Sequence, residues 1–319
     1  MSLRVAVQMD PLEGVGIAGD STFALMLKAQ ELGHTLFHYL SGDLSYADGR
    51  VRALARLVSV QPVLGDHFNA GDPVTLDLAD DVDVVLMRQD PPFDIAYITA
   101  TYLLERVAAD TLVVNDPASV RDCPEKLFVL DFAHFMPPTL ITRSRDELRA
   151  FHRRHGEIVL KPLHGNAGAA VFRIGAEGQN LAALAELFER SWPEPYIAQA
   201  FLPAVADGDK RIVLIDGAVA GAINRRPGKG EIRSNLAAGG TAEAVELSDR
   251  DVEICEALGP ELKRRGLLFV GIDVIGGHLT EINVTSPTGI VAIDRFNGTD
   301  TPGLIWSAID RRLADRAKG

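Results

Sequence analysis

The spacing of apolar residues predicts alternating strands and helices in the first third of the chain. Short apolar runs at 5–7, 82–87 and 111–114 are typical of strands, and the run at 82–87 is continuous enough to be buried on both faces. Residues 95–106 have the apolar spacing of a helix. Strands that alternate with helices in this way predict an open, parallel α/β sheet.

Capping residues place a further helix after the first strand. Asp20 or Ser21 supplies the side chain of an N-cap, and Gly33 stands where a C-cap belongs. Open parallel sheets bind ligands beyond the carboxyl ends of their strands. Asp10 and residues 88–94 fall at such ends, so the sequence predicts that they face a ligand.

The rest of the chain has a different pattern, with hairpins in place of crossovers. Asp216 and Gly217 separate two apolar runs, which is a strong hairpin signal. A second hairpin is predicted over 268–284, with its turn at Gly276 and Gly277. The other predicted elements are strands at 158–161, 171–174 and 196–201 and helices at 181–190 and 248–265. Together they predict a pair of α+β lobes.

Composition and charge narrow the class of protein. The chain has 319 residues, with 44 Asp and Glu against 32 Lys and Arg, for a formal net charge of −12. Such an acidic protein is not expected to bind nucleic acid as its main partner. Its two cysteines cannot form a disulfide framework, and no apolar run approaches the length of a membrane-spanning helix. The expected location is the cytoplasm, with no membrane partner.

Three oxygen-bearing side chains interrupt the apolar pattern of the last hairpin. Glu281 and Asn283 are two residues apart and share one face of a strand. A three-residue loop would place Asp273 opposite Glu281 on that face, whereas a two-residue loop would place it on the other face. Carboxylate and amide oxygens suit Mg²⁺, which keeps several water or phosphate ligands. The alternative interpretation is the solvated outer face of a hairpin.

A second candidate site lies at the end of a buried strand. Lys161 is followed by the small-residue loop 164–169, in which Gly165 and Gly168 let backbone amides approach a phosphate. The loop lacks the Gly-Lys-Ser/Thr of a Walker A motif, and a plain β-hairpin would look similar. Residues 14–19 read GVGIAG and so have the spacing of the G-x-G-x-x-G fingerprint, but this motif alone is a weak signal, and a dinucleotide enzyme is not the expected class.

Basic residues in this acidic chain lie close to the proposed loops. Arg88 ends a buried strand and precedes two rigid prolines, so we expect it to face a ligand. Arginine forks suit carboxylates and phosphates, although any single basic residue can be ordinary surface charge. The remaining members of this group are Lys126, Lys161, Lys210, Arg211, Arg225, Arg226 and Arg233.

These motifs, in this order, resemble the ATP-grasp ligases and, within them, the prokaryotic glutathione synthetases. Lysine-bearing strands followed by Asp, Glu and Asn are common to ATP-grasp enzymes. The run MRQDPPFD at 87–94 and the run NLAAGG at 235–240 are far more specific to the glutathione synthetases. The resemblance covers nearly the whole chain.

The resemblance implies a fold, a reaction and a set of roles. It implies an N-terminal α/β domain at 1–122, a small ATP-grasp lobe at 123–200 and a large lobe at 201–319 with a lid at about 226–240. The reaction is the ATP-dependent ligation of glycine to γ-glutamylcysteine through an acyl phosphate, with Mg²⁺ or Mn²⁺, in a homo-tetramer. The implied residues are Arg233 and Arg225 for catalysis, Lys126, Lys161, Gly165, Gly168, Gln199, Phe201, Leu202 and Asp209 for ATP, Asp273, Glu281 and Asn283 for the metal, and Asp20, Ser21, Arg88, Asn235, Ser286 and Thr288 for substrate.

The sequence departs from the family in two loops. His164 and Ala167 replace an acidic residue and a glycine, and the lid carries an unusual Arg226 and Lys229. These changes bear on loop closure more than on the class of reaction. Another ATP-grasp ligase, joining a different acid and amine, remains the main alternative. A catalytically inactive nucleotide-binding scaffold is disfavoured, since the oxygen-ligand set is intact.

Overall fold

A computed structural model describes residues 2–166, 168–235 and 239–318. The first sheet has a parallel centre in the order β2-β1-β6-β7, and β4 extends it antiparallel to β2. Both β3 and β5 pair antiparallel with β4. The strands are β1 (Arg4–Gln8), β2 (Thr35–Tyr39), β3 (Leu44–Ala47), β4 (Arg50–Val60), β5 (Phe68–Asp77), β6 (Val84–Met87) and β7 (Leu112–Val114).

The parallel α/β fold predicted for this region is confirmed at its centre. Helix α1 (Ser21–Glu31) follows β1, with Asp20 as the N-cap that accepts a hydrogen bond of 2.7 Å from the Phe23 amide. Helices α2 (Ile95–Glu105) and α3 (Pro117–Asp122) follow β6 and β7. The antiparallel ribbon of β3, β4 and β5 was not predicted.

The second sheet is a separate antiparallel layer in the order β10-β9-β11-β8. Helices α4 (Arg145–His155) and α5 (Leu181–Ser191) cover it. Leu148, Leu160 and Phe188 belong to an apolar core whose described members all come from this layer. The strands are β8 (Thr139–Thr142), β9 (Ile158–Pro162), β10 (Phe172–Ile174) and β11 (Tyr196–Ala200).

The third sheet is antiparallel, in the order β14-β13-β12-β15-β16. The predicted turn joins β12 and β13, because Asp216 and Gly217 both adopt positive φ, 50° and 81°. A side chain at Gly217 would meet the Gly259 carbonyl, so this turn also needs glycine for close packing. The elements are β12 (Asp209–Ile215), β13 (Ala218–Arg226), β14 (Thr241–Ala244), β15 (Phe269–Ile275), β16 (His278–Asn283), α6 (Asp249–Arg264), α7 (Ile290–Asn297) and α8 (Thr301–Arg316).

The first and third sheets share their hydrophobic cores. One core joins Val85 and Met87 to Ile272 and Ile282, and another joins Val5 and other residues around β1 to residues of β12, β13 and the last helices. The Trp306 indole of α8 donates a 3.0 Å hydrogen bond to the Leu25 carbonyl of α1. No helix in the described ranges is long and apolar enough to cross a bilayer.

Candidate active site

A cavity of about 430 Å³ lies between the second and third sheets and reaches the end of the first sheet at Asp90 and Pro91. All the residues predicted for the site line it, except Asp20, Ser21 and Arg88. Its walls therefore come from every layer of the molecule. The lining residues that sequence reasoning proposed are Lys126, Lys161, Gly165, Gly168, Gln199, Phe201, Leu202, Asp209, Arg225, Arg233, Asn235, Asp273, Glu281, Asn283, Ser286 and Thr288.

The last hairpin has a two-residue turn, and yet Asp273 lies opposite Glu281. Ile275 pairs with His278 across Gly276 and Gly277, but the register shifts by one residue before Asp273. Thr280 is the extra residue, and its hydroxyl donates a 3.1 Å hydrogen bond to the Asp273 carbonyl. Without this β-bulge, a two-residue turn would place Asp273 on the face opposite to Glu281. The three oxygen-bearing side chains thus share one face.

Two arginines hold Asp273 in its ionised form. Arg211 lies opposite Asp273 in the sheet and donates to both carboxylate oxygens, at 2.6 and 3.0 Å. Arg225 approaches the same carboxylate at 2.9 Å. Burial alone would raise the pKa of Asp273, but the two guanidinium groups outweigh it and hold this pKa well below its usual range.

Asp209 also pairs with Arg225, but its pKa shifts in the opposite direction to that of Asp273. Its Oδ2 accepts hydrogen bonds of 2.6 Å from Arg225 and from the Ser234 hydroxyl, whereas its Oδ1 has no partner among the described residues. Burial raises the pKa of Asp209 to about 6 despite the nearby guanidinium. The site therefore contains a buried carboxyl that can change its protonation near neutral pH.

A second cluster of opposite charges surrounds Glu281. Lys161 and Lys126 lie 3.1 and 3.7 Å from the same carboxylate oxygen, and Lys126 also forms an ion pair with Glu125. Burial would raise the pKa of Glu281, but the two ammonium groups lower it. Lys126 further donates to the Gly165 carbonyl at 2.5 Å. Both lysines thus point into the cavity beside the loop that was predicted to cradle phosphate.

That loop and the predicted lid meet above the cavity. A side chain at Gly168, whose φ is +75°, would come within 2.8 Å of the Asn235 amide oxygen. Ser234, also in the lid, bonds to Asp209 below. His164, one of the two departures from the family pattern, stacks on Phe93 of the first domain with ring centroids 6.2 Å apart. Ala167, the other departure, lies outside the described residues, as do 236–238 of the lid.

β11 and the residues that follow it form one end of the cavity, and this end is predicted to hold adenine. The Gln199 amide donates to the Thr139 hydroxyl at 3.1 Å, and the Phe201 amide donates to the Glu157 carbonyl at 2.9 Å. The guanidinium of Arg173 lies 3.9 Å from the centroid of the Phe201 ring. These contacts fix an apolar ring at the strand end that joins the two lobes.

Ser21 and Arg88 lie directly behind the cavity wall, and Asp20 is the N-cap of α1 next to Ser21. The Ser21 hydroxyl accepts a 3.2 Å hydrogen bond from the Gly289 amide. Arg88 donates to the Pro287 carbonyl at 2.9 Å and accepts from Ser286 at its own carbonyl. Ser21 and Arg88 therefore contact the wall segment 286–289, and the predicted role of all three residues in binding substrate stays a prediction.

Arg211 and Glu125 are charged cavity residues that the predicted site did not include, and two of the grouped basic residues lie elsewhere. Arg211 was seen only as one of the basic residues, and Glu125 was not singled out. Asp209 and Arg211 are two residues apart in β12 and therefore lie on the same face of the strand. Two charged residues on one face of an otherwise apolar strand are the pattern that could have predicted Arg211. Lys210 instead points to the opposite face and pairs with Asp251, and Arg226 pairs with Glu243 at the surface.

The chain matches two family models. The prokaryotic glutathione synthetase N-terminal domain matches residues 3–121, and the prokaryotic glutathione synthetase ATP-grasp domain matches residues 125–298.

Similar proteins agree in sequence and in fold. The glutathione synthetase of Rhodopseudomonas palustris is 54% identical over 98% of this chain and 100% of its own length, and that of Pseudomonas syringae is 47% identical over 99% of both. The crystal structure of the D-cycloserine synthetase DcsG has a TM-score of 0.70 at 16% identity, covering 97% of this chain and 99% of its own. The ATP-grasp ligase PsnB has a TM-score of 0.64 at 20% identity, covering 98% of this chain and 99% of its own. Both structures share the fold. The chain therefore belongs to the prokaryotic glutathione synthetase family.

Proposed function

We propose that this protein catalyses the ATP-dependent ligation of glycine to γ-glutamylcysteine, giving glutathione, ADP and phosphate. The observation that carries the proposal is one cavity in which lysines, arginine-paired carboxylates and a phosphate-sized loop face each other. Membership of the family supports it. The residues that line the cavity include no obvious nucleophile in the part of the chain that the structure describes. The reaction needs none, because ATP itself activates the carboxylate as an acyl phosphate.

The nucleotide binds between the two lobes. Gln199, Phe201 and Leu202 line the adenine end, where the Arg173 guanidinium supports the Phe201 ring. Lys126 and Lys161 lie at the other end, where the phosphates bring negative charge. When ATP binds, its phosphate oxygens would pair with the ammonium groups of Lys126 and Lys161 and replace part of their pairing with Glu281. A lysine can change partners in this way because its ammonium group is a point charge on a flexible side chain. Gly165 and Gly168 let the loop backbone approach the same oxygens.

The acid substrate is activated and then attacked beside the arginines. The carboxylate of γ-glutamylcysteine attacks the γ-phosphorus of ATP, and ADP leaves. The glycine amine then attacks the acyl phosphate and displaces phosphate. Arg233 faces the cavity from the lid and stabilises the oxyanion of the tetrahedral intermediate, with Arg225 below it. Asn235, Ser286 and Thr288 line the space left for the two substrates.

Asp273, Glu281 and Asn283 have the donor chemistry for a divalent cation. They present hard oxygens on one face of one hairpin, although Asp273 and Glu281 are now paired with basic side chains. Mg²⁺ or Mn²⁺ needs few protein ligands, because water and phosphate oxygens complete its coordination. Such an ion, when bound, would neutralise charge on the transferred phosphoryl group.

An acyl phosphate must be protected from water, and the lid provides the cover. Ser234 ties the lid to Asp209, and Asn235 packs against Gly168 of the small loop. The two loops thus close over the reacting groups from both sides. Glycine attacks in place of water because it is bound inside this cover.

The wider organisation is proposed on the family resemblance. The three parts are 1–122, 123–200 and 201–319, the protein is a homo-tetramer, and it acts in the cytoplasm. Light scattering on a sizing column measures the assembly directly, and a monomer would contradict the tetramer.

The reaction is tested by phosphate release from ATP and Mg²⁺, with γ-glutamylcysteine and glycine omitted in turn. The proposal requires release that depends on both substrates, with glutathione formed in equal amount. ATP binding without release on these substrates would contradict it. That result would favour a ligase of the same fold for another acid or amine, which a panel of dipeptides and amino acids would identify.

A further inference from the structure

An acidic crevice lies at the carboxyl ends of β1 and β6, beside the cavity. These neighbouring strands run parallel, with Gln8 opposite Met87, and β2 lies on the other side of β1. The chain therefore leaves β1 and β6 in opposite directions, which opens a crevice between their ends. Asp10 and Asp90 stand there, joined by a 2.8 Å hydrogen bond from the Asp90 amide to the Asp10 carboxylate.

The crevice has more negative than positive charge. Arg88 is the cation among Asp10, Asp20 and Asp90, but it is 5% exposed. Its Nε and Nη2 donate to the Thr22 hydroxyl and the Pro287 carbonyl rather than to the carboxylates. Partial burial, and then Asp10, raise the pKa of Asp90, as expected where carboxylates crowd together. A cation at the mouth of the crevice would relieve this crowding.

A buried hydroxyl indicates where the cation sits. Tyr97, in the first turn of α2, is 3% exposed, and its hydroxyl has no hydrogen-bond partner in the described part of the chain. Burial raises the pKa of this hydroxyl, the Arg88 charge lowers it, and the charges of Asp90 and Asp10 raise it, as expected for a hydroxyl close to these three groups. A buried hydroxyl without a partner is costly, and a bound donor would satisfy it. An ammonium group carries three donors, so it can bond a hydroxyl oxygen and carboxylate oxygens at the same time.

We propose that Asp90, Asp10 and Tyr97 bind the α-ammonium group of the acid substrate. This inference rests on the proposed function and extends it, because it specifies which end of γ-glutamylcysteine lies at the first domain. Asp90 lines the same cavity as Asp273 and Arg225. One extended molecule therefore places its ammonium group at Asp90 and its reacting carboxylate near the arginines. The enzyme thereby selects acids that carry an α-amino group at the far end.

The test compares γ-glutamylcysteine with glutarylcysteine, which is the same molecule without the amino group. The variants are Asp90→Asn, Asp10→Asn and Tyr97→Phe, with Asp72→Asn on the exposed strand β5 as the matched control. Each is assayed for kcat/KM with both acids at saturating ATP and glycine. The KM for ATP and the melting temperature with and without ATP report whether a variant is folded.

Wild type should prefer γ-glutamylcysteine by roughly 10- to 100-fold, the effect of one charged hydrogen bond. Asp90→Asn should lose most of that preference, Tyr97→Phe a smaller part, and Asp72→Asn none. Equal use of both acids by wild type, or equal losses on both acids in Asp90→Asn, would overturn the ammonium site while glutathione formation stands. Wild type that makes no glutathione would instead overturn the proposed function and, with it, the substrate named here.

Discussion

Asp273 and Glu281 are cross-strand partners only because Thr280 bulges out of β16. The bulge is the difference between a hairpin with its oxygen ligands on one face and one with them divided between two faces. The same face receives Arg211 from β12, opposite Asp273. The position of one threonine therefore determines how charge is arranged in the cavity.

Removing Arg211 should destabilise the fold. Arg211→Met leaves Asp273 buried with Arg225 as its remaining partner, and a buried charge that loses a partner typically costs about 3–5 kcal/mol. Because Arg225 remains, we expect the lower end of that range in urea unfolding. Arg226→Met is the control, since its exposed pair with Glu243 should contribute less than about 1 kcal/mol. Equal losses in the two variants would contradict this account.

Asp209 should make stability fall as the pH rises from about 4 to 6. Its pKa of about 6 in the folded protein lies above the ordinary value of 3.8, so the folded state binds more protons in this window. Asp209→Asn removes this dependence. The stability of the variant relative to wild type should therefore increase by roughly 2–3 kcal/mol between pH 4 and 7. Thermal unfolding across that range measures it, and parallel curves would refute the assignment.

Gly168→Ala should loosen the contact between the small loop and the lid. The alanine would have to adopt the positive φ of Gly168, which is strained for a residue with a side chain. Its methyl group would also press on the Asn235 amide oxygen. We expect ATP hydrolysis to become partly uncoupled from glutathione formation, because water reaches the acyl phosphate. The control is Gly175→Ala, where a methyl group has no described atom within 4 Å. Complete coupling in Gly168→Ala would show that the contact does not protect the intermediate.

Arg233→Ala should retain nucleotide binding and lose turnover. Arg233 faces the cavity from the lid, and among the described residues its ion pair is with the half-exposed Glu231. Loss of an oxyanion donor commonly lowers kcat by roughly 100- to 1,000-fold. Nucleotide affinity from calorimetry should change little. Arg226→Ala removes an arginine at the start of the same lid that does not line the cavity, and it should keep most of its turnover. Full activity in Arg233→Ala would rule out the role.

The sequence predicted β1, β6 and β7 of the parallel centre and both hairpins because their signals are local, whereas β2 was not predicted. Two adjacent residues, Asp216 and Gly217, encode one turn by their tolerance of positive φ. The ribbon of β4 and β5 escaped prediction because β4 carries apolar Leu54 and Leu57 on its exposed side and a register shift near Arg56 interrupts its alternation. Its apolar residues therefore do not mark a single face.

The candidate site was predictable where residues belong to motifs and less so where pairing between strands brings them together. Asp273 and Glu281 stood out as carboxylates in apolar strands, but their relative position depended on the unforeseen bulge at Thr280. Arg211 and Glu125 are single charged residues whose sequence neighbourhood resembles ordinary surface. Only the register of β12 against β15 shows that Arg211 meets Asp273.

The separate core of the second sheet has a mechanical consequence. The first and third sheets are joined by common cores and by the contacts of Arg88 with Pro287 and Ser21 with Gly289, so they form one rigid frame. The layer of β8 to β11 packs on its own core and lines the cavity from the other side. We therefore expect this layer to move as a unit against the frame. Such a movement would widen the nucleotide end of the cavity, while Asp273 and Arg225 keep their positions relative to the first sheet.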